Sequence, residues 1–254
     1  MLVNETHVDY EENRICTDST EGSNCERCRT GYYNLVNGEC TRCSCSGVTN
    51  RCKENYAYLI EIVTRNDSIL LRDQETGRQF TVNNSGSRFI FPSLPKDRTS
   101  IFWLLPDEFL GNKIKSYGYN LTYQSDISPI DIDGSIQTTE PDVQIRSRTA
   151  TIIYMSGETR ADRMFNRPYN IPLRENLWER VDDVHRQVAK LSKLEFLGVL
   201  SDIQEIRIRA IYHDKQQSTS ISDVRLATVS DEPTHISRRK VRTNIERCLC
   251  PIGR

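Results

Sequence analysis

The cysteines constrain this chain more than any other feature, through their placement rather than their number. Seven of the nine fall between Cys16 and Cys52, Cys248 and Cys250 stand near the C-terminus, and none occurs in 53–247. Closely spaced cysteines point to an oxidising compartment, where a segment too small to bury a core is held by disulfide bridges. Zinc is the competing reading, because Cys25-x-x-Cys28 and Cys40-x-x-Cys43 have ligand spacing. That segment contains no histidine, and the nine-residue steps from Cys16 to Cys25 and from Cys43 to Cys52 fit no finger pattern. Disulfides are therefore expected here, and no metal.

The remainder is ordinary enough to build a core. Of 254 residues 37% are hydrophobic, sufficient for one good-sized domain and something smaller. Lys plus Arg (34) nearly cancels Asp plus Glu (35), which gives no global attraction to nucleic acid or an anionic membrane. No apolar run approaches the roughly 18 residues of a membrane-spanning helix, so no membrane insertion is expected. The opening MLVNETHVDYEENR lacks the basic and apolar regions of a signal peptide. With such cysteines, the chain reads as a segment of a longer secreted protein. Four Asn-x-Ser/Thr sequons, at Asn4, Asn66, Asn83 and Asn120, agree with secretion, although four is only a slight excess over chance.

The chain changes character after the cysteine-rich part. Residues 16–52 are rich in Cys, Gly, Asn, Ser and Thr without apolar periodicity, which predicts loops pinned by bridges. From Tyr56 onward come short β-branched and aromatic runs, Ala57 to Val63, Arg78 to Val82 and Arg88 to Phe91, separated by turn formers. In SYGYNLTY, Tyr117, Tyr119, Leu121 and Tyr123 alternate with Ser116, Gly118, Asn120 and Thr122, which sends Asn120 to solvent. In EIRIRAIY, Ile206, Ile208, Ala210 and Tyr212 form an inner face opposite Arg207 and Arg209, and Val224 and Leu226 repeat the pattern beside Asp223 and Arg225. Ser192 and Glu195 make a capping box, and Leu194, Leu197, Leu200 and Ile203 recur every third residue, predicting one helix from Lys193 to about Asp202. Many short strands and a single helix predict a mainly β fold, an antiparallel jelly-roll-like β-sandwich.

Two stretches resemble known modules. Cys16-TDSTEGSN-Cys25-ER-Cys28-RTGYYN, continuing to Cys40-TR-Cys43, is similar to the later part of a laminin-type EGF-like module. The likeness lies in cysteine spacing, in Thr20-x-Gly22 ahead of Cys25 and in the aromatic pair after Gly31. FWLLPDEFLGNKIKSYGYNLTY, from Phe102 to Tyr123, resembles the signature of laminin IV type A domains, a W-x-L-P-x-x-F-L-G-x-K core followed by S-Y-G and an alternating strand. PDVQIR, from Pro141 to Arg146, and the ending Cys248-L-Cys250-PIG are similar too, so that the resemblance covers nearly the whole chain. Tyr119 stands where the family usually has a second Gly. Such domains occur in laminin chains and in basement-membrane proteoglycans, and CSCSGVTNRC before the domain and CPIG after it look more like the latter.

The resemblance implies an organisation. In this family the type IV domain is inserted between the third and fourth cysteines of an EGF-like module. Cys16, Cys25, Cys28 and Cys40 would end one module, and Cys43, Cys45 and Cys52 would begin the next, which resumes at Cys248 and Cys250. The implied bridges are Cys16–Cys25, Cys28–Cys40, Cys43–Cys52 and Cys45–Cys248, with Cys250 unpaired within the chain. The implied domains are a tail at 1–15, module segments at 16–42 and 43–52, the type IV domain at 53–247 and the resuming module at 248–254.

Signals for chemistry are thin, and no catalytic residue or cofactor is expected. His7, His185, His213 and His235 are scattered on polar stretches, where surface positions are expected, and no phosphate-cradling Gly loop occurs. Asp126, Asp131 and Asp133 with Gly134 hint at calcium but miss the EF-hand spacing. Trp103 and Trp178 could form a carbohydrate platform, although Phe102 and Leu105 place Trp103 in a core. The run Arg238-Arg239-Lys240-Val241-Arg242 could bind a glycosaminoglycan by salt-sensitive attraction, against the alternative of a strand edge protected by charge. The favoured function is a non-enzymatic, rod-like spacer in a secreted, basement-membrane matrix protein. Its partners would be other matrix proteins and sulfated glycans, with a glycan-binding β-sandwich as the alternative and a secreted hydrolase third.

Overall fold

Two physical strategies divide the molecule. The structure, a computed structural model, describes residues 16–45, 48–64, 69–94, 100–128, 138–156, 167–181, 188–235, 237 and 239–249. One unit comprises Met1–Asn55 with Ile245–Arg254, the other Tyr56–Asn244.

The first unit has almost no core: among its described residues Tyr33 is the one buried apolar side chain. Its strands are short. β1 (Thr20–Glu21) pairs with β2 (Arg27–Cys28), β3 (Tyr32–Val36) with β4 (Glu39–Arg42), and β5 (Cys52–Lys53) with β21 (Arg247–Cys248), all antiparallel. The sequence reading expects only loops here and overlooks Asn37-Gly38. Both residues take positive φ, 52° and 82°, between the paired Val36 and Glu39. A two-residue hairpin turn of this hand matches strand twist, and Asn-Gly is its strongest signal.

The second unit builds two antiparallel sheets. The first holds β6 (Tyr56–Val63), β9 (Asn83–Ser85), β10 (Arg88–Phe91), β12 (Asn120–Ser128), β15 (Arg167–Pro172), β19 (Ser218–Ser230) and β20 (Lys240–Arg242). Long β19 organises it. One edge pairs with β12, which carries β15, and the other pairs with β10 along Thr219–Ser222 and with β6 along Arg225–Ser230. The second sheet runs β17 (Val188–Lys190), β16 (Glu179–Val181), β14 (Thr151–Tyr154), β13 (Val143–Ser147), β18 (Ile203–Arg209), β11 (Ile101–Leu104), β7 (Leu70–Asp73), β8 (Gln79–Phe80). Trp103, Val143, Ile145, Ile152, Ile206 and Ile208 bury one face of this sheet, while Leu121, Tyr123, Ile127, Ile221, Val224 and Leu226 bury one face of the other. Tyr123 stacks on its cross-strand partner Tyr169, with centroids 4.9 Å apart.

Three local expectations need correction. The alternating strand begins at Asn120; Tyr117 closes a 3-10 turn (Ile114–Ser116) before it. Its hydroxyl donates to Glu175 Oε2 at 2.7 Å. The helix α1 spans Lys193–Leu200, and Leu194 is 55% exposed. Its buried face is Phe196, Val199 and Leu200, because residues spaced strictly by three drift about 60° per step around a helix. The capping box itself forms: Glu195 N donates to the Ser192 hydroxyl at 3.3 Å, and Ser192 N donates to the Glu195 carboxylate at 2.9 Å. Arg209, placed outward by alternation, is 2% exposed.

The FWLLPDEFLGNKIKSYG stretch is the hinge between sheet and helix. Trp103, Leu105 and Phe109 are buried, and Gly111 bridges Ile203 just past α1. Lys113 N donates to Leu200 O at 2.7 Å and its ammonium to Leu110 O, and burial pushes this lysine's pKa down. Gly118 has φ +78°, and a Cβ there would lie 2.5 Å from Asn244 Cγ, so both backbone and space demand glycine.

Candidate functional site

The cystine unit supplies the most specific geometry. Four bridges join Cys16 to Cys25, Cys28 to Cys40, Cys43 to Cys52 and Cys45 to Cys248, with Cα separations of 5.4, 5.7, 5.9 and 5.7 Å. All are within the range that a relaxed disulfide spans. The fourth closes a separation of 203 residues. Around it, Lys53 is in register with Arg247 and Cys52 with Cys248, while Leu249 N donates to Arg51 O at 2.8 Å. The chain thus leaves this unit after β5 and re-enters it on the neighbouring strand.

Glu246 finishes the junction, and the sequence reading misses it. Its carboxylate Oε1 accepts from Ser44 N at 2.6 Å and Cys45 N at 3.1 Å, and the residue is 8% exposed. Cys45 needs such an anchor because its φ is +33°, an unusual value for a residue with a side chain. Cys45, Glu246 and Cys248 lie close enough to suggest a metal site. Both sulfurs are already joined to each other, and the carboxylate already accepts two amides, so this cluster offers no thiolate ligand.

The other candidates disperse. Asn120 and Asn83 are exposed at the starts of β12 and β9, while Asn4, Asn66 and Cys250 lie outside the described residues. Arg238 lies outside them too; Arg239 is exposed, and Lys240 and Arg242 are exposed on β20. Among the described residues β20 pairs only with β6, and Lys240 Nζ sits 5.6 Å from the Tyr58 ring centroid. Asp126 accepts from Arg88 at 2.7 Å; Asp131, Asp133 and Gly134 are outside the described residues.

Neither tryptophan can be a sugar platform. Trp103 is fully buried, and Trp178 is 1% exposed with its ring N–H donated to Pro172 O at 2.8 Å. His235 is exposed, and His7 and His185 lie outside the described residues. His213 is 1% exposed, against the surface position expected of it. It belongs to a buried polar end of the sandwich. There Arg209 Nε donates to Ile211 O at 2.9 Å and its Nη2 donates to the carbonyl and hydroxyl oxygens of Thr138. Asp142 lies 3.8 Å from the same guanidinium, and Gln216 bonds to Ala210 O, Ser218 O and Tyr212 N. Burial holds Tyr123 well above the ordinary tyrosine pKa. These groups satisfy a folded backbone; they do not assemble a nucleophile and base facing a cleft.

The family described as Laminin B (Domain IV) matches residues 102–246, more than half of the chain. The chain belongs to that laminin domain IV family. Human laminin subunit alpha-1 is 28% identical to it over 94% of the chain and 8% of that protein. The mouse basement membrane-specific heparan sulfate proteoglycan core protein is 27% identical over 94% and 6%. The chain therefore spans under a tenth of the length of either relative. The L4b domain of human laminin alpha-2 superimposes with a TM-score of 0.58 at 21% identity, covering 67% of this chain and 97% of that domain. The laminin domain IV fold is thus shared: antiparallel sheets with one helix among the described residues. No helix among them is long and apolar enough to cross a membrane.

Proposed function

We propose that this chain is an extracellular, basement-membrane segment in which a laminin IV domain interrupts an EGF-like module and acts as a non-enzymatic spacer. The observation that carries the reading is the bridge between Cys45 and Cys248 beside the paired β5 and β21. A module rejoined at one point can host an insert without losing its own continuity. On this reading the domain occupies 53–247, Cys250 awaits a partner beyond Arg254, and the sequons at Asn83 and Asn120 carry glycans. Arg239, Lys240 and Arg242 are read as charge protecting an exposed strand edge.

Peptide mapping without reductant, on the chain expressed with its natural flanks, tests this. Cys45 joined to Cys248 and Cys250 joined to a cysteine after Arg254 support it; Cys45 joined to any other residue refutes it. A finer reading places the segment in a perlecan-like proteoglycan core rather than a laminin subunit. The CSCSGVTNRC and CPIG stretches support that choice. Release of sulfated chains from the full-length secreted protein by heparan-degrading enzymes is the expected result, and a protein without such chains overturns it.

A further inference from the structure

The outer face of the eight-stranded sheet holds a cavity of about 850 Å³ that the spacer reading does not use. Its position follows from strand parity. Val143, Ile145, Ile206 and Ile208 turn into the sandwich, so Gln144, Arg146, Glu205 and Arg207 turn out. Register sets these four as a square: Gln144 opposite Arg207 and Arg146 opposite Glu205. Its volume lies within the roughly 300–1,000 Å³ of small-molecule sites.

The charges on its floor do not balance locally. Glu205, whose side chain is 12% exposed, is shared by three guanidinium groups: Arg72 at 3.6 Å, Arg146 at 3.8 Å and Arg207, which donates to it directly. Arg72 lies outside the cavity lining; of the two arginines that line it, Arg146 and Arg207, Glu205 neutralises one, and one positive charge remains beside it in a partly dehydrated place. Arg146 keeps a side-chain exposure of 54% and can reach an incoming anion. The opposite end has reversed sign and hydroxyl-binding character: Ser100 donates to Glu140 at 2.5 Å, and Glu75, Gln74 and Thr139 line the wall.

We propose that this cavity binds an oligosaccharide bearing an isolated carboxylate. The arginine cluster takes the carboxylate in forked hydrogen bonds, and the glutamates and amides at the far end accept sugar hydroxyls. A densely sulfated chain fits less well, because its closely spaced further charges would face Glu75 and Glu140, whereas successive carboxylates of hyaluronan are separated by an uncharged N-acetylhexosamine. An acidic peptide meets the same repulsion and offers fewer hydroxyls to those carboxylates.

The test is an amide-resolved NMR titration of this chain with hyaluronan tetrasaccharide, heparin tetrasaccharide, cellotetraose and tetraglutamate. Hyaluronan tetrasaccharide shifts the amides of β13 and β18, and its affinity falls about tenfold or more in R146Q, by less in R146K, and not at all in R242Q on the basic edge. Cellotetraose, lacking the carboxylate, binds at least about tenfold more weakly. The spectrum of each variant reports its fold, and Arg146 is exposed enough for substitution to leave it intact. The proposal is overturned if hyaluronan tetrasaccharide does not bind at millimolar concentration, if R146Q binds it unchanged, or if heparin or tetraglutamate binds more tightly.

Discussion

If the Cys45–Cys248 bridge is a shortcut for tension, its removal has a large mechanical signature. The perturbation is the pair C45S and C248S, which avoids leaving a single reactive thiol. In the parent chain load passes from Cys43 through Ser44 and Cys45 directly to Cys248, whose Cα atoms are 5.7 Å apart. The second unit then lies outside the loaded path. In the variant, with the Cys43–Cys52 bridge still closed, the load must run from Cys52 to position 248. That is about 200 residues at roughly 3.5 Å each, so unfolding releases on the order of 700 Å of contour length. Force spectroscopy on the chain tethered by both ends, without reductant, reads this directly. The variant shows the long step, and the parent shows it only after reduction. A parent chain that yields the 700 Å step while oxidised refutes the reasoning. Thermal stability moves as well, because a loop this long restricts the unfolded chain by about 5 kcal/mol at most.

Three further outcomes test the local reasoning. S192A removes the hydroxyl half of the α1 capping box, leaving the backbone N–H of residue 192 on the Glu195 carboxylate, and costs about 1 kcal/mol, a fall of about 2–4 °C in Tm; an unchanged melt contradicts the box. G118A forces a side chain into positive φ and onto Asn244, costing about 2–4 kcal/mol in chemical denaturation. The N244G background restores part of that loss, and no restoration would mean that the clash is irrelevant. Backbone hydrogen bonds hold Glu195 and Glu26 below the ordinary carboxylate range, as Arg148 does Asp202. Their contribution is complete at neutral pH and is lost as pH falls through these lowered values; above pH about 10 the raised Tyr123 pKa opposes ionisation, so stability falls again. A stability curve flat from pH 6 to 2, or from 9 to 12, contradicts those assignments.

What was legible in the sequence was whatever depends on short-range periodicity. Leu121, Tyr123, Ile206, Ile208, Val224 and Leu226 are buried as strand alternation requires, because each lies well inside a paired strand. Ser192 and Glu195, two residues at the ends of a four-residue span, specify a helix start by themselves. Parity failed at strand ends. Arg209 closes β18, where the segment around Thr138–Asp142 folds against it: Thr138 N donates to Tyr212 O and Arg209 N to Asp142 O. A residue there is enclosed from both sides, and alternation carries no information about a covering segment. His213 is buried one residue beyond Tyr212, whose carbonyl accepts from Thr138 N, and its polar sequence neighbours carry no mark of that burial.

Irregular backbone was equally illegible, and for a related reason. Asp223 takes φ +51° where β19 slips against β12, between the pairs Thr122–Arg225 and Gln124–Ser222. The extra residue lets Val224 and Leu226 stay inward on one side of the bulge while Ile221 stays inward on the other. An apolar pattern read along one strand registers only that both halves are amphipathic; the slip exists only relative to the partner strand. Glu246 presents the same problem at longer range. Its acceptors' partners, the amides of Ser44 and Cys45, are about 200 residues away in sequence. A glutamate followed by Arg247 and Cys248 has no local mark of burial. Only once Cys248 is tied to Cys45 does the carboxylate come within reach of that strained backbone, so the bridge and the carboxylate specify one junction together.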